Sequence, residues 1–245
     1  MKRLLSVLLV LALSICLVAC GGTGTNVTTT EQDSSGTSTE QYVRVNSIEE
    51  LEELVDKDVT GVVSALEEEY NSLTEEITTY DQYVEKVDKV EAFYAKVNEE
   101  TEKLCIRLRE YSINYAELVV NSNMTNDEKE DAVEDIYDCI YDEAGDAVYD
   151  GIYDGVLDDM YDYFYDGIIS DGYDYAPYKE WSDILSEEYD MWSDTLSDVY
   201  DSWSDALSDI YGFWSDVSGA MWDNDMEEIK TEIEKFKEDI KELKE

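Results

Sequence analysis

Carboxylate side chains recur at fixed spacing along two stretches of this chain. Carboxylates can bind cations, and a pair of them can hydrolyse a glycosidic bond. In the first stretch every fourth residue is an aspartate: Asp138, Asp142, Asp146, Asp150, Asp154, Asp158, Asp162 and Asp166. In the second stretch acids recur at spacings of three or four: Asp183, Glu187, Asp190, Asp194, Asp198, Asp201, Asp205 and Asp209.

The spacing favours a solvated acidic face over a defined catalytic or metal site. A straight row on a helix offers carboxylates only in pairs, and the sequence has no Asp-x-Asp-x-Asp-Gly calcium loop. The best candidate for a discrete cation site is the turn that contains Asp166, Asp171 and Asp174. Weak calcium binding is the alternative to a purely solvated face. Because no pair of acids is distinguished from the others, we expect a protein that is not an enzyme and has no cofactor.

The composition excludes several classes of function. The 245 residues contain 62 acidic and 17 basic side chains and no histidine, which gives a formal net charge of −45. Catalytic sites and metal centres that need imidazole are therefore excluded. A nucleic acid is not an expected partner, because a polyanion repels the phosphate backbone.

The first residues have the pattern of an export signal. Lys2 and Arg3 precede an apolar run over residues 4–13, and the segment ends in Leu17-Val18-Ala19-Cys20. This run is shorter than the roughly 20 residues of a membrane-spanning helix. The segment resembles the lipobox signal of bacterial lipoproteins. The resemblance implies that residues 1–19 are removed, that Cys20 carries lipid, and that the protein is extracytoplasmic and anchored in the bilayer; an ordinary signal peptide is the alternative.

Residues 20–46 are rich in Gly, Ser and Thr, which predicts a flexible tether between the lipid and the folded part. Cys16 leaves with the signal and Cys20 carries the lipid. Cys105 and Cys139 are then the only cysteines that could form a disulfide.

The first helical region is predicted over residues 47–121, with a break near Gly61. Ser47 with Glu50, and Ser64 with Glu67, have the spacing of capping boxes. A heptad pattern of apolar residues continues from residue 66 to residue 118, with one change of phase at Val90.

The second helical region is predicted over residues 125–170, beginning at a capping box formed by Thr125 and Glu128. Apolar residues stand two positions before each aspartate, so the repeat is four residues long. At about 100° per residue, this stripe should wind right-handedly nearly once round the helix. Glycines inside the region, each costing about 1 kcal/mol, oppose helix formation.

The third helical region is predicted over residues 177–222, where Trp181, Trp192, Trp203 and Trp214 lie eleven residues apart. Eleven residues in three turns predicts a gentle right-handed supercoil. A short connection makes this helix antiparallel to the second. We expect Gly167, Gly155 and Gly145 to leave room for Trp181, Trp192 and Trp203, in that order. Aromatic residues at helical spacing are expected in the core, and stacking on cell-wall glycans is the alternative.

The tail over residues 223–245 has a heptad pattern: Met226, Ile229, Ile233, Phe236, Ile240 and Leu243. In the expected register this tail extends past the bundle, which predicts a homo-oligomer that forms through these residues. The sequence thus predicts an all-α fold, an elongated three-helix bundle or coiled-coil rod with heptad, tetrad and hendecad repeats. The expected function is a membrane-anchored structural or interaction module; the alternative is a lipoprotein that binds divalent cations or cell-wall glycans.

Overall fold

A computed structural model describes residues 46–244, and this part of the chain is all-α. It contains five long helices, and the predicted all-α helical bundle is therefore confirmed. The expected coiled-coil rod with its repeats stays a prediction. The helices are α1 (Ile48–Glu76), α2 (Tyr80–Asn121), α3 (residues 126–169), α4 (Tyr178–Trp222) and α5 (Met226–Leu243). A single 3₁₀ turn, Gly172–Asp174, lies in the connection between α3 and α4.

Local capping hydrogen bonds determine where α1 and α2 begin. The hydroxyl of Ser47 accepts from the backbone N–H of Glu50 at 3.2 Å. The hydroxyl of Thr79 accepts from the backbone N–H of Gln82 at 3.3 Å. The side-chain oxygen of Gln82 accepts in turn from the backbone N–H of Thr78 at 2.9 Å. These bonds satisfy N–H groups that have no partner within the helix.

The region over residues 47–121, predicted as one helical region, consists of two helices, α1 and α2, that form a hairpin. The chain turns at residues 77–79, and the predicted break near Gly61 is wrong, because Gly61 lies within α1 with open space around it. Ion pairs join the two helices in antiparallel order: Lys96 pairs with Glu69, and Arg107 pairs with Asp58 at 2.9 Å.

Hydrogen bonds between α1 and α3 give the relative direction of these two helices. The hydroxyl of Tyr70 donates to the carbonyl of Asp159, and that of Tyr163 donates to the carbonyl of Thr74, both at 3.1 Å. Residues later in α1 thus meet residues later in α3, and these two helices are parallel.

The helices α2 and α4 are parallel for the same reason. Asn98 donates to Asp198 at 2.9 Å, and Arg109 donates to Asp209 at 2.6 and 3.0 Å. The first four helices thus form an up-down-up-down bundle. Four helices surround the core where the sequence predicted three, because the first predicted region contains two.

The helix α3 alternates between α-helical and π-helical backbone. Its π-helical segments are Tyr137–Glu143, Tyr149–Leu157 and Tyr161–Ile169, which begin twelve residues apart. An α-helix has 3.6 residues per turn, and a helix with i→i+5 hydrogen bonds has more than four. The mixture averages close to four, so a four-residue repeat makes a nearly straight stripe.

From residue 140 onward the apolar residues of this stripe are buried: Ile140, Ala144, Val148, Ile152, Val156, Met160, Phe164 and Ile168. The predicted winding assumed 3.6 residues per turn throughout the helix, and α3 does not have that geometry.

The C-terminal helix α5 folds back onto α2 and α4 of its own chain. The rings of Phe236 and Phe213 stack with centroids 4.5 Å apart. Lys237 pairs with Glu117 at 2.6 Å. The apolar face of α5 is buried: Ile229, Ile233, Phe236 and Ile240. The expectation that the heptads have no partner within the chain is therefore wrong.

Candidate functional site

The predicted cation ligands lie on the surface. The aspartates of α3 are all exposed: Asp138, Asp142, Asp146, Asp150, Asp154, Asp158, Asp162 and Asp166. Asp171 and Asp174 are exposed as well. Within residues 46–244, no three or more acidic or thiol side chains lie close enough to hold a metal ion. The structure does not assemble Asp166, Asp171 and Asp174 into a ligand set, and calcium binding there stays a prediction.

Tyrosine rings line the groove between α3 and α4, and we call this surface the aromatic seam. Its members are Tyr149, Tyr153, Tyr161, Tyr165, Tyr189, Trp192 and Tyr200. Tyr149 stacks on Tyr153 with ring centroids 4.8 Å apart, and Tyr161 stacks on Tyr165 at 4.7 Å. Both pairs are separated by four residues, which is about one turn of this helix.

Rings of α4 complete the aromatic seam. Trp192 lies 4.5 Å from Tyr161, and Tyr189 lies 5.8 Å from Tyr165, measured between ring centroids. Tyr189 is 44% exposed and Tyr200 is 52% exposed. The expectation that these repeating tyrosines belong to the core is wrong, because they lie at the edge of the α3–α4 interface.

Acidic side chains lie close to the tyrosines of the aromatic seam. The pKa of Tyr149 is raised, chiefly by the charge of Asp154 and then by partial burial and its other neighbours. The pKa of Tyr161 is raised by burial and by Asp166. The seam therefore offers ring faces next to carboxylates, which suits positively charged or hydrogen-bond-donating ligands better than anions.

Tryptophans of α4 contact the backbone of α3 at the ends of its π-helical segments. The indole N–H of Trp181 donates to the carbonyl of Ile169 at 2.5 Å, and that of Trp192 donates to the carbonyl of Leu157 at 3.2 Å. Ile169 and Leu157 are the last residues of two π-helical segments. The contacts confirm the antiparallel pairing of the two helices.

The predicted pairing of glycines with tryptophans holds at one of three positions. A methyl group at Gly145 would lie 2.8 Å from the Trp203 ring, so this glycine does make room for tryptophan. At Gly155 and Gly167, the nearest atoms to such a methyl group are carbonyl oxygens of α3 itself, at Asp150 and Asp162. Both oxygens lie five residues earlier, so these two glycines fit the π-helical backbone.

A cleft of about 570 Å³ opens between the α1–α2 turn and the end of α3. We call it the end cleft. Its walls include three tyrosines and three aspartates: Tyr80, Tyr163, Tyr175, Asp81, Asp162 and Asp171. It shares no residue with the aromatic seam.

A buried carboxyl group lies at the centre of the bundle. Glu188 is fully buried and accepts hydrogen bonds from the hydroxyls of Tyr94, at 2.7 Å, and Tyr83. Burial raises the pKa of Glu188, and the two hydrogen bonds lower it by less. Because this carboxyl group has no access to solvent, it serves the packing of α4 against α2.

The two cysteines of the described region do not form a disulfide. Cys105 and Cys139 are buried thiols. Burial raises the pKa of Cys105 to about 12. Cys20, the predicted site of lipidation, lies outside the described residues, as do the predicted signal over residues 1–19 and the predicted tether over residues 20–46 apart from Asn46.

Comparisons with protein-family models, with curated proteins and with solved structures found no match to this chain. Among the helices that the structure describes, none is long and apolar enough to cross a bilayer.

Sequence analysis missed both the end cleft and the exposure of the seam. The cleft depends on the turn at residues 77–79, and the signal for that turn was the Thr79 and Gln82 capping box. No signal in a single sequence distinguishes a seam tyrosine from a core tyrosine, since both recur at helical spacing.

Proposed function

We propose that this protein is a lipid-anchored bacterial surface lipoprotein whose helical bundle is a non-catalytic interaction module. The lipobox ending at Cys20 supports the anchor. The observation that carries the interaction role is the aromatic seam, a row of partly exposed rings beside the exposed aspartates of α3. Exposed hydrophobic surface next to polar residues often marks a binding site, and this row of rings is the surface that we propose for it.

The anchor is tested by metabolic labelling with an alkyne-bearing palmitate in a bacterial host. Wild type is expected to take up the label and partition with membranes. Cys20→Ser is expected to lose both properties, and Cys105→Ser is the matched control that keeps them. Equal labelling of wild type and Cys20→Ser would contradict the proposal.

The interaction role is tested by photo-crosslinking on intact cells. A photoreactive phenylalanine replaces Tyr200 in the seam, or Thr60 on the exposed face of α1. We expect a discrete adduct from position 200 and none from position 60. Identical adducts at both positions, or no adduct at either, would count against a specific surface at the seam.

Cell-wall glycan binding is the second candidate, and the exposure of Tyr189 and Tyr200 favours it. The exposed faces of aromatic rings can stack on sugar rings. Co-sedimentation with purified cell-wall sacculi should fall in a Tyr189→Ser/Tyr200→Ser variant. Trp222→Ser is the control, because Trp222 is 78% exposed and lies outside the seam.

The divalent-cation alternative is tested in the same assay. Co-sedimentation that requires millimolar calcium and disappears in EDTA would assign the binding to cations bridged by the aspartates. Co-sedimentation that is unchanged in EDTA would assign it to the rings.

Self-association remains a separate prediction. The six tail residues named for it now divide into four that are buried within the chain and two that are exposed, Met226 at 39% and Leu243 at 52%. Sedimentation velocity on residues 21–245 tests this prediction. A dimer that persists after Met226→Ser and Leu243→Ser would show that those two residues do not hold it together.

A further inference from the structure

The walls of the end cleft combine aromatic rings with carboxylates. Tyr80 and Tyr175 stand near the α1–α2 turn and the α3–α4 connection, and Tyr163 lies on α3. Tyr175 is 82% exposed. A side chain so exposed contributes little to the stability of the fold, so its ring is free to contact a ligand.

The three carboxylates of the cleft form no ion pair with any residue that the structure describes. Asp81, Asp162 and Asp171 line the cleft, and no lysine or arginine does. None of them forms an ion pair among the described residues, whose ion pairs lie elsewhere, as at Glu76 and Asp58. The interior of the cleft is therefore negative, and it disfavours anions and neutral polar ligands relative to cations.

A buried polar atom in the wall also lacks a partner. The hydroxyl oxygen of Tyr80 has no exposed surface and makes no hydrogen bond within residues 46–244. Burial and the charges of Glu180 and Asp81 raise the pKa of Tyr80. Because this hydroxyl has no exposed surface, a ligand in the cleft would contact the ring of Tyr80 and not its oxygen.

We propose that the end cleft binds a small organic ammonium cation, whose alkyl groups contact the tyrosine rings and whose charge is balanced by Asp81, Asp162 and Asp171. Attraction between an alkylated ammonium and the face of an aromatic ring is a general mode of recognition for such ligands. A bare metal ion fits less well, because no three of the described acids come close enough together to ligate one. The cleft and the aromatic seam have no residue in common, so this proposal does not depend on the proposed function.

The test compares charged and neutral probes of the same shape. Choline, tetramethylammonium and spermidine are titrated calorimetrically into residues 21–245, at concentrations up to about 20 mM, since a few such contacts give a millimolar Kd. Choline is compared with 3,3-dimethyl-1-butanol, its neutral isostere. Physiological salt suppresses loose association with the acidic surface.

We expect one saturable site for at least one of the ammonium probes. For choline, we expect an affinity at least about ten-fold above that of the neutral isostere. Equal affinity for choline and the isostere would overturn the proposal, because the positive charge of the ligand would then contribute nothing to binding. The absence of saturable binding by all three ammonium probes would overturn it as well.

Surface variants show whether binding occurs in the end cleft. Tyr175→Ala and Asp171→Asn alter exposed side chains and should each weaken binding about three- to ten-fold. Trp222→Ala and Asp201→Asn are the matched controls, since they remove an exposed ring and an exposed charge elsewhere. Equal losses in the cleft variants and the controls would assign the binding to the overall charge and overturn the proposal.

Discussion

The indole N–H of Trp192 reaches the carbonyl oxygen of Leu157 across the α3–α4 interface, at 3.2 Å. One repeat further along, Trp181 makes the same contact with Ile169. The tryptophans are eleven residues apart and their acceptors are twelve apart. Eleven residues of α4 therefore span the same length as twelve of α3, about 16.5 Å at 1.5 Å per residue.

Removing the donor of this contact should destabilise the bundle. Trp192→Phe keeps a ring but leaves the Leu157 carbonyl without the indole hydrogen bond, at an expected cost of about 1 kcal/mol in the free energy of unfolding. Urea unfolding measures that cost. Trp222→Phe is the control, because Trp222 is highly exposed, and a loss of equal size there would contradict the interpretation.

Replacing Gly145 with alanine should lower the stability of the protein, and replacing Gly61 with alanine should raise it. Gly145→Ala places a methyl group 2.8 Å from the Trp203 ring, and overpacking of this kind costs about 1–3 kcal/mol. Gly61→Ala meets no atom within 4 Å and should gain up to about 1 kcal/mol from helix propensity. Thermal unfolding of both variants tests this prediction. A change in melting temperature of the same sign for both variants would contradict the packing described around these two glycines.

The stability of the protein should depend on pH through Glu188. Burial raises the pKa of this carboxyl group in the folded state above the ordinary value of 4.5. As the pH rises above 4.5, the unfolded chain releases the proton while the folded chain retains it. The contribution of Glu188 to stability is therefore full below pH 4.5 and is lost as the pH rises to its folded-state pKa.

Glu188→Gln removes this titration and keeps the shape of the side chain. The free energy of unfolding of the variant should rise relative to wild type between pH 4 and pH 8, by about 1.4 kcal/mol for each unit by which the folded-state pKa of Glu188 is raised. The exposed neighbour Glu187 supplies the control, Glu187→Gln, which removes one carboxyl group from the surface instead of the core. A difference that shrinks with rising pH for Glu188→Gln would reverse the sign and contradict the assignment.

The thiol of Cys105 should be unreactive in the folded protein. Its pKa is raised to about 12, chiefly by burial, and only the thiolate is nucleophilic. In a Cys139→Ser background at pH 8, the thiolate population of Cys105 should be about a thousand-fold lower than in the urea-unfolded chain. Reaction with a thiol-specific reagent measures this, and equal rates in the two states would contradict the buried position.

The sequence predicted the elements with strong local signals. The capping residues Ser47 and Thr125 and the hendecad tryptophans correctly placed the starts of α1 and α3 and the pairing of α3 with α4. The turn at residues 77–79 was missed because apolar residues continue at heptad spacing on both sides of it. Periodicity alone does not show whether a helix continues or folds back.

Neither the packing of the tail nor the π-helical backbone of α3 could be predicted from the local sequence of those segments. The partners of Phe236 are residues such as Phe213 on another helix, and no local pattern encodes that pairing. The π-helical segments relax the stripe that 3.6 residues per turn would have wound. The end cleft then follows from the position of the missed turn.

The contacts between α3 and α4 repeat after different numbers of residues in the two helices. Trp181 and Trp192, eleven residues apart in α4, donate to carbonyls twelve residues apart in α3, and both acceptors are the last residues of π-helical segments. A duplication that lengthened α4 alone would shift every later tryptophan away from its acceptor. The α3–α4 hairpin can therefore gain or lose such a repeat only when both helices change together, by eleven residues of α4 for twelve of α3.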